Sequence, residues 1–293
     1  MPLTRDIRPL KRLVHGDVAG LNFIRVNPKI RFRKHYREGL RSQIIEVLYQ
    51  EDLDRETRGV VEDGIRRYPR ARPRKMLRLF RAPFETPGDA FREALEFDLL
   101  KTYLGREHLA QSSEFIVTYR WDRGEMIMLC GLQQYVEGCM VNPWSLCQGD
   151  YREMLYQAMP WPAHYRRERP AKDQFVEKVG QSARRLITKV RRMITETGSI
   201  PDLAGVGNLI VTPRAHLKLV DINNVSPLEI SARIYLDGRG YPVSDKSVEV
   251  LALLEEKLVG RPVDRQDPLY VHFLDARRMA AVRIEEKRFR QTG

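Results

Sequence analysis

One stretch limits the folds open to this chain more than any other. Along residues 173–197 the apolar side chains fall at Phe175, Val179, Ala183, Leu186, Ile187, Val190, Met193 and Ile194. That spacing predicts a long amphipathic helix with one face against a core. Its other face is basic, with Lys178, Arg184, Arg185, Lys189, Arg191 and Arg192. Gly198 is a natural C-terminal stop. The pattern then changes: residues 209–211 and 217–220 read as two short strands around a Thr212-Pro213-Arg214-Ala215 turn. A long helix running into a small hairpin makes the chain α+β, not all-helical.

The first half is mostly strand. Residues 44–49 are rich in β-formers, residues 59–65 carry an Asp63-Gly64 turn signal, and residues 75–80 alternate between Pro73 and Pro83. Residues 87–104 switch to helical spacing, with Phe91, Leu95, Leu99 and Leu100 on one face. Residues 115–121 and 126–132 form a hairpin around Asp122-Arg123-Gly124, and residues 133–140 read as a connector. Further on, residues 244–258 form an amphipathic helix with Ser244 or Asp245 as its cap, and residues 275–290 a charged helix with few core positions. At 293 residues this is one large domain or two lobes. The division reads as a basic arm (1–40), a strand-rich lobe with one helix (41–133), a connector (134–140), a helical lobe (141–274) and a charged terminal helix (275–293).

Fifty-one Lys and Arg against thirty-nine Asp and Glu give a net charge of +12. Residues 1–40 hold ten basic residues against three acidic ones, and residues 66–81 hold eight basic residues and no acid. The remainder is slightly acidic, so the positive charge belongs to the N-terminal third. It predicts an anionic partner or acceptor, or a solvated basic face. Cys130, Cys139 and Cys147 are too few and too unevenly spaced for a disulfide framework, and no CxxC marks a zinc site. No apolar run reaches bilayer length, and the N-terminus lacks the apolar core of a signal peptide, so no transmembrane segment and a cytoplasmic location are expected.

The residues that carry chemistry lie between Gly198 and Pro227. Asn208 leads into the first short strand, and Asp221 ends the second, thirteen residues later. Two strands and a turn bring an amide oxygen and a carboxylate to the same end of the hairpin, a donor pair suited to Mg²⁺. Asp202, six residues before Asn208, supplies a third oxygen in reach of them.

Gly207-Asn208-Leu209-Ile210-Val211, followed by Leu217-Lys218-Leu219-Val220-Asp221, resembles the catalytic-loop and metal-binding segments of the protein-kinase-like superfamily. That group includes small-molecule phosphotransferases as well as protein kinases. The resemblance implies a bilobal fold, a small β-rich lobe with one helix and a larger helical lobe, with ATP and Mg²⁺ between them. It implies Asn208 and Asp221 as metal ligands and Asp202 as the catalytic base. It puts Arg78, or Lys75 beside it, on the phosphate-binding strand, Glu96 as the ion-pair partner on the following helix, and Tyr135 in the connector beside the nucleotide. Tyr135, like Met140, also reads as connector packing. The sequence departs from the family pattern in five places, the first being six residues from Asp202 to Asn208 where the family has five, an insertion in the loop. Ile200-Pro201-Asp202 stands for His-Arg-Asp, Asp221-Ile222-Asn223 for Asp-Phe-Gly and Arg78 for the strand lysine, while Gly39, Gly59 and Gly64 are isolated where a glycine-rich loop belongs. Three functions follow: a phosphotransferase acting on a protein, sugar or lipid-linked glycan hydroxyl; a pseudokinase-type binding module; and a nucleic-acid-binding protein using the basic N-terminal third.

Overall fold

The structure is a computed structural model that describes residues 5–36, 41–162, 165 and 169–292. The chain is α+β and divides into two compact units, 1–95 with 111–135, and 96–110 with 136–293.

The first unit contains α1 (His15–Ala19), β1 (Ile30–Lys34), β2 (Ser42–Tyr49), α2 (Gln50–Arg58), β3 (Val60–Glu62), β4 (Ile65–Arg67), β5 (Lys75–Phe80), the start of α3 (Pro87–His108), β6 (Ser112–Trp121) and β7 (Gly124–Gln134). Five strands form one antiparallel sheet in the order β1-β2-β5-β7-β6. Strands β3 and β4 pair apart from it as a hairpin. Its turn holds Asp63 and Gly64 at φ 52° and 76°, the left-handed pair that an Asp-Gly sequence favours.

The N-terminal segment read as a basic arm contributes both a strand and core residues to this unit. Residues 30–34 are an edge strand of the sheet. Ile7, Leu13, Val18 and Leu21 are buried with Ile45, Leu77, Leu79, Tyr119 and Met128. The Ile7 N–H donates to the Tyr119 hydroxyl (2.9 Å), which donates to Asp6 (3.0 Å), and burial pushes the Tyr119 pKa up to about 12. Gln43 Nε2 donates to the Arg8 and Leu10 carbonyls. Apolar side chains too scattered to show a period still cover one face of a sheet. Residues 1–4 and 37–40 of the predicted arm, Gly39 among them, lie outside the described residues.

The second unit contains the end of α3, β8 (Cys139–Val141), α4 (Tyr151–Ala158), α5 (Lys172–Thr197), β9 (Ser199–Pro201), β10 (Leu209–Val211), β11 (Leu217–Leu219), β12 (Val225–Pro227), α6 (Val243–Leu254), a π-turn (Glu255–Val259), α7 (Pro268–Phe273) and α8 (Ala276–Thr292). Phe175, Val179, Ala183, Leu186, Val190 and Met193 of α5 are core residues, as the period predicts, and Gly198 closes the helix at φ 61°. Its basic face is partly tied down: Arg185 bonds Glu107 (2.6 Å) and Lys189 bonds the Leu104 carbonyl (3.0 Å). The cap expected for α6 is not there. Neither Ser244 nor Asp245 caps it, because Ser244 Oγ donates to the Pro227 carbonyl (2.7 Å) and Asp245 takes a fork from Arg278 of α8. The terminal helix is therefore fastened to α6 by a buried ion pair.

The predicted connector also contains structure. Cys139–Val141 is a strand paired with β10, with Met140 opposite Ile210. The chain reaches it through Gly138, where a Cβ would stand 2.2 Å from the Val211 carbonyl oxygen. That oxygen is backbone and has little room to give. Gly138→Ala is expected to cost about 1–3 kcal/mol, the range of overpacking, and to lower the denaturant midpoint accordingly. An unchanged midpoint would mean that β8 is free to shift.

Candidate functional site

Two short ladders fix the loop that carries Asp202 and Asn208. In the first, β9 pairs with β12, Pro201 opposite Val225. Asp202 then sits beside Asn224: its N–H donates to the Asn224 carbonyl (2.9 Å), and Asn224 Nδ2 donates to Asp202 Oδ2 (3.0 Å). In the second, Leu209 faces Leu219, and the Val220 N–H donates to the Asn208 carbonyl (2.8 Å). Asp221 follows Val220, so Asn208 and Asp221 lie at the same end of the hairpin, as the thirteen-residue spacing predicts. Between the ladders, Asp202 Oδ1 accepts from the Ala204 (2.9 Å) and Gly205 (3.3 Å) N–H groups. Asn208 Nδ2 donates to the Asp202 carbonyl (3.1 Å), which leaves Oδ1 as the amide atom for a ligand. Gly205 makes room for that amide, since a Cβ there would fall 2.5–2.6 Å from its atoms.

The loop is held from outside as well. The Leu203 N–H donates to Ser247 Oγ (3.1 Å) and Trp144 Nε1 to the Ala204 carbonyl (3.1 Å). Lys246 Nζ lies 4.0 Å from the Trp144 ring centre and bonds Glu249 (2.6 Å).

Burial pushes the Asp202 carboxyl up to about 6, with the negative charge of Asp221 acting in the same direction. The N–H donors of Ala204, Gly205 and Asn208 oppose the shift without cancelling it. A carboxyl that changes charge near neutral pH is suited to accept a proton from a hydroxyl. Tyr241 is raised too, by burial first and then by the charges of Glu286, Asp202 and Glu249. Among the described residues no three His, Cys, Asp or Glu side chains gather into a metal-holding group. Asn208 and Asp221 supply two hard oxygens, which fits a Mg²⁺ ion that takes its other ligands from phosphates and water.

Arg78, Lys75 and Tyr135 belong to the first unit; Glu96, Asp202, Asn208 and Asp221 belong to the second. Arg78 is buried in the middle of β5, and its Nη2 bonds Glu114 of β6 (2.7 Å). Glu114, not singled out by the sequence, is a carboxylate bound to the strand arginine. Ser112 Oγ donates to the same oxygen of Glu114 (2.7 Å). The pair crosses the sheet over Gly131, where a Cβ would lie 2.6 Å from Glu114 and 2.8 Å from Arg78. Lys75 is exposed and, three residues away on the strand, projects from the opposite face. Tyr135 is half-buried, its N–H directed at the Arg74 carbonyl (3.4 Å). Glu96 is half-buried on α3.

The sequence reading missed Glu114, Asn224, Trp144 and Lys246. Only Asn224 left a local signal, two residues beyond Ile222 in the Asp221-Ile222-Asn223-Asn224 run. No protein-family model matches the chain, and no curated protein matches it.

Proposed function

We propose that the chain is an ATP- and Mg²⁺-dependent phosphotransferase of the protein-kinase-like type, with the bilobal fold of that class. The observation that carries the reading is the convergence of Asp202, Asn208 and Asp221 at one end of the β10–β11 hairpin. The order of elements is consistent with it: a basic residue on the third strand of a five-stranded sheet, then a helix, two more strands, a connector and a helical unit. Asn208 Oδ1 and the Asp221 carboxylate would hold the metal, which when bound offsets the charge of the phosphates. Asp202, oriented by Asn224 and two backbone N–H groups, would accept the proton of the acceptor hydroxyl. Most of the rate would come from positioning and charge offset, since phosphoryl transfer asks little covalent chemistry of the protein. The basic N-terminal third favours an anionic acceptor.

Thermal unfolding with and without Mg²⁺–ATP tests the site. At ~100 times its dissociation constant, a ligand that binds only the folded chain stabilises it by about 2.7 kcal/mol. Wild type is expected to shift up in melting temperature, and Asp221→Ala is not. If neither shifts, the nucleotide site does not exist.

A second reading rests on Arg78. A strand arginine buried against Glu114 is poorly placed to grip a phosphate, which favours a catalytically impaired, pseudokinase-type module. The two readings part on turnover. The phosphotransferase releases ADP in the presence of an acceptor; the impaired module binds Mg²⁺–ATP and releases none.

A further inference from the structure

A cavity of about 250 Å³ in the second unit is lined by Arg184, Ile187, Thr188, Arg191, Val259, Arg261 and Glu255. None of these residues belongs to the hairpin site. Arg184, Thr188 and Arg191 stand at i, i+4 and i+7 on α5, so they share one helix face. Ile187 and Val259 give the cavity its apolar surface. The opposite wall is the π-turn Glu255–Val259 and the arginine just beyond it, and π-turns are frequent at functional sites.

Three guanidinium groups around so small a space repel one another unless anions offset them. Two are fixed by acids. Arg191 bonds Asp267 and stacks over Tyr270, 5.2 Å from its ring centre. Arg261 bonds Glu255, itself buried, at 3.0 Å. Each guanidinium carries five N–H donors, so one carboxylate contact leaves others for a ligand. Arg184 is exposed and, among the described residues, has no carboxylate within ion-pair distance. The cavity therefore holds two arginines each paired with an acid, Arg261 largely exposed, and a third with an uncommitted fork, while the Thr188 hydroxyl donates to the Arg184 carbonyl (3.0 Å) and has no proton left for an anion.

We propose that this cavity binds the phosphate group of a small molecule, with Arg184, Arg191 and Arg261 as its donors. A tetrahedral oxyanion presents oxygens in several directions and meets forks on more than one wall at once, whereas a carboxylate offers two oxygens in one plane. The volume admits a phosphate and a few further atoms. The proposal is independent of the phosphotransferase reading.

The experiment is titration calorimetry of the full chain in low-salt, phosphate-free buffer, with inorganic phosphate, glycerol 3-phosphate and succinate as probes. One saturable site for at least one of the two phosphate probes is expected, with succinate much weaker. Binding of the ester but not of free phosphate assigns the site to a phosphorylated metabolite, and the converse to the free ion. Arg184→Ala is expected to weaken binding tenfold or more, and Arg261→Ala comparably. Arg192→Ala and Asp221→Ala should leave it unchanged. Arg184 is exposed, so its variant should melt at the wild-type temperature, which separates lost binding from lost folding. No saturable binding, succinate binding as tightly as phosphate, or binding lost in Asp221→Ala but kept in Arg184→Ala would each overturn the proposal.

Discussion

On the proposed phosphotransferase reading, replacing Asp202 with asparagine is expected to abolish most phosphoryl transfer; independently of that reading it is expected, at neutral pH, to make the fold more stable. A positioned general base contributes about 10²–10⁴-fold to rate, so kcat should fall by that factor. In the wild type, kcat/KM should rise with pH through a limb near 6, where Asp202 loses its proton; in the variant that limb should vanish. The stability effect has the opposite sign. Asp202 titrates at about 6 in the fold against an ordinary value of 3.8, so between those pH values the folded state holds the extra proton. Its contribution to folding is fully present below about pH 4 and is lost as pH rises through 6. At pH 7 the buried carboxylate costs about 2–3 kcal/mol, which asparagine avoids. An asparagine oxygen can still accept from Ala204 and Gly205, provided Asn224 turns its amide over. Denaturant midpoints of the two proteins should converge below about pH 4 and separate by pH 7.5. Unchanged turnover would show that the base lies elsewhere. A variant less stable than wild type at pH 7.5 would show that the ionised carboxylate is a net gain to the fold.

Arg278→Ala is expected to cost about 3–5 kcal/mol. Arg278 donates to both oxygens of Asp245 (2.6 and 3.1 Å) and to the carbonyls of Ser231 (2.7 Å) and Arg233 (3.0 Å). The side chains of the pair are 9% and 2% exposed. Alanine would strand a carboxylate in the first turn of α6 and remove two further bonds that tie α8 to the chain before α6. Arg278→Lys should recover only part of the loss, since an ammonium cannot make the two-pronged contact. Urea unfolding of the three proteins measures this. A loss below ~1 kcal/mol for the alanine variant would mean that water reaches Asp245.

How much the sequence could show depended on whether a signal was local. The period along α5, the Asp63-Gly64 turn and the strand at 75–80 are properties of adjacent residues, and the structure has them where the pattern puts them. Asn208 and Asp221 were legible for the same reason: one hairpin brings them to the same end, and its length is written in the spacing, whereas Asp202 is held beside them by the separate β9–β12 ladder. Contacts made across long sequence distances were not. Glu114 is thirty-six residues from Arg78, and nothing near either predicts the pair. Arg278 looks like one more charge on a polar helix until Asp245 is seen beneath it. The first forty residues misled because apolar side chains that cover a sheet need no period, only the right positions in space.

The place of β7 in the sheet bears on how the protein is made. It is the last of the five strands to leave the ribosome, yet it lies inside, between β5 and β6. The sheet cannot grow by adding strands in the order of synthesis. At ~5–20 residues per second, the stretch from β5 to the end of β7 takes about 3–10 s to translate. Throughout that interval β5 has no partner on one side, and its apolar residues Leu77 and Leu79 lie along an open edge. The β6–β7 hairpin can close on itself within microseconds once it is complete and then dock as a finished piece. Nascent chains halted short of residue 124 should therefore be held by chaperones or aggregate, and those extended past residue 134 and clear of the ribosome should not.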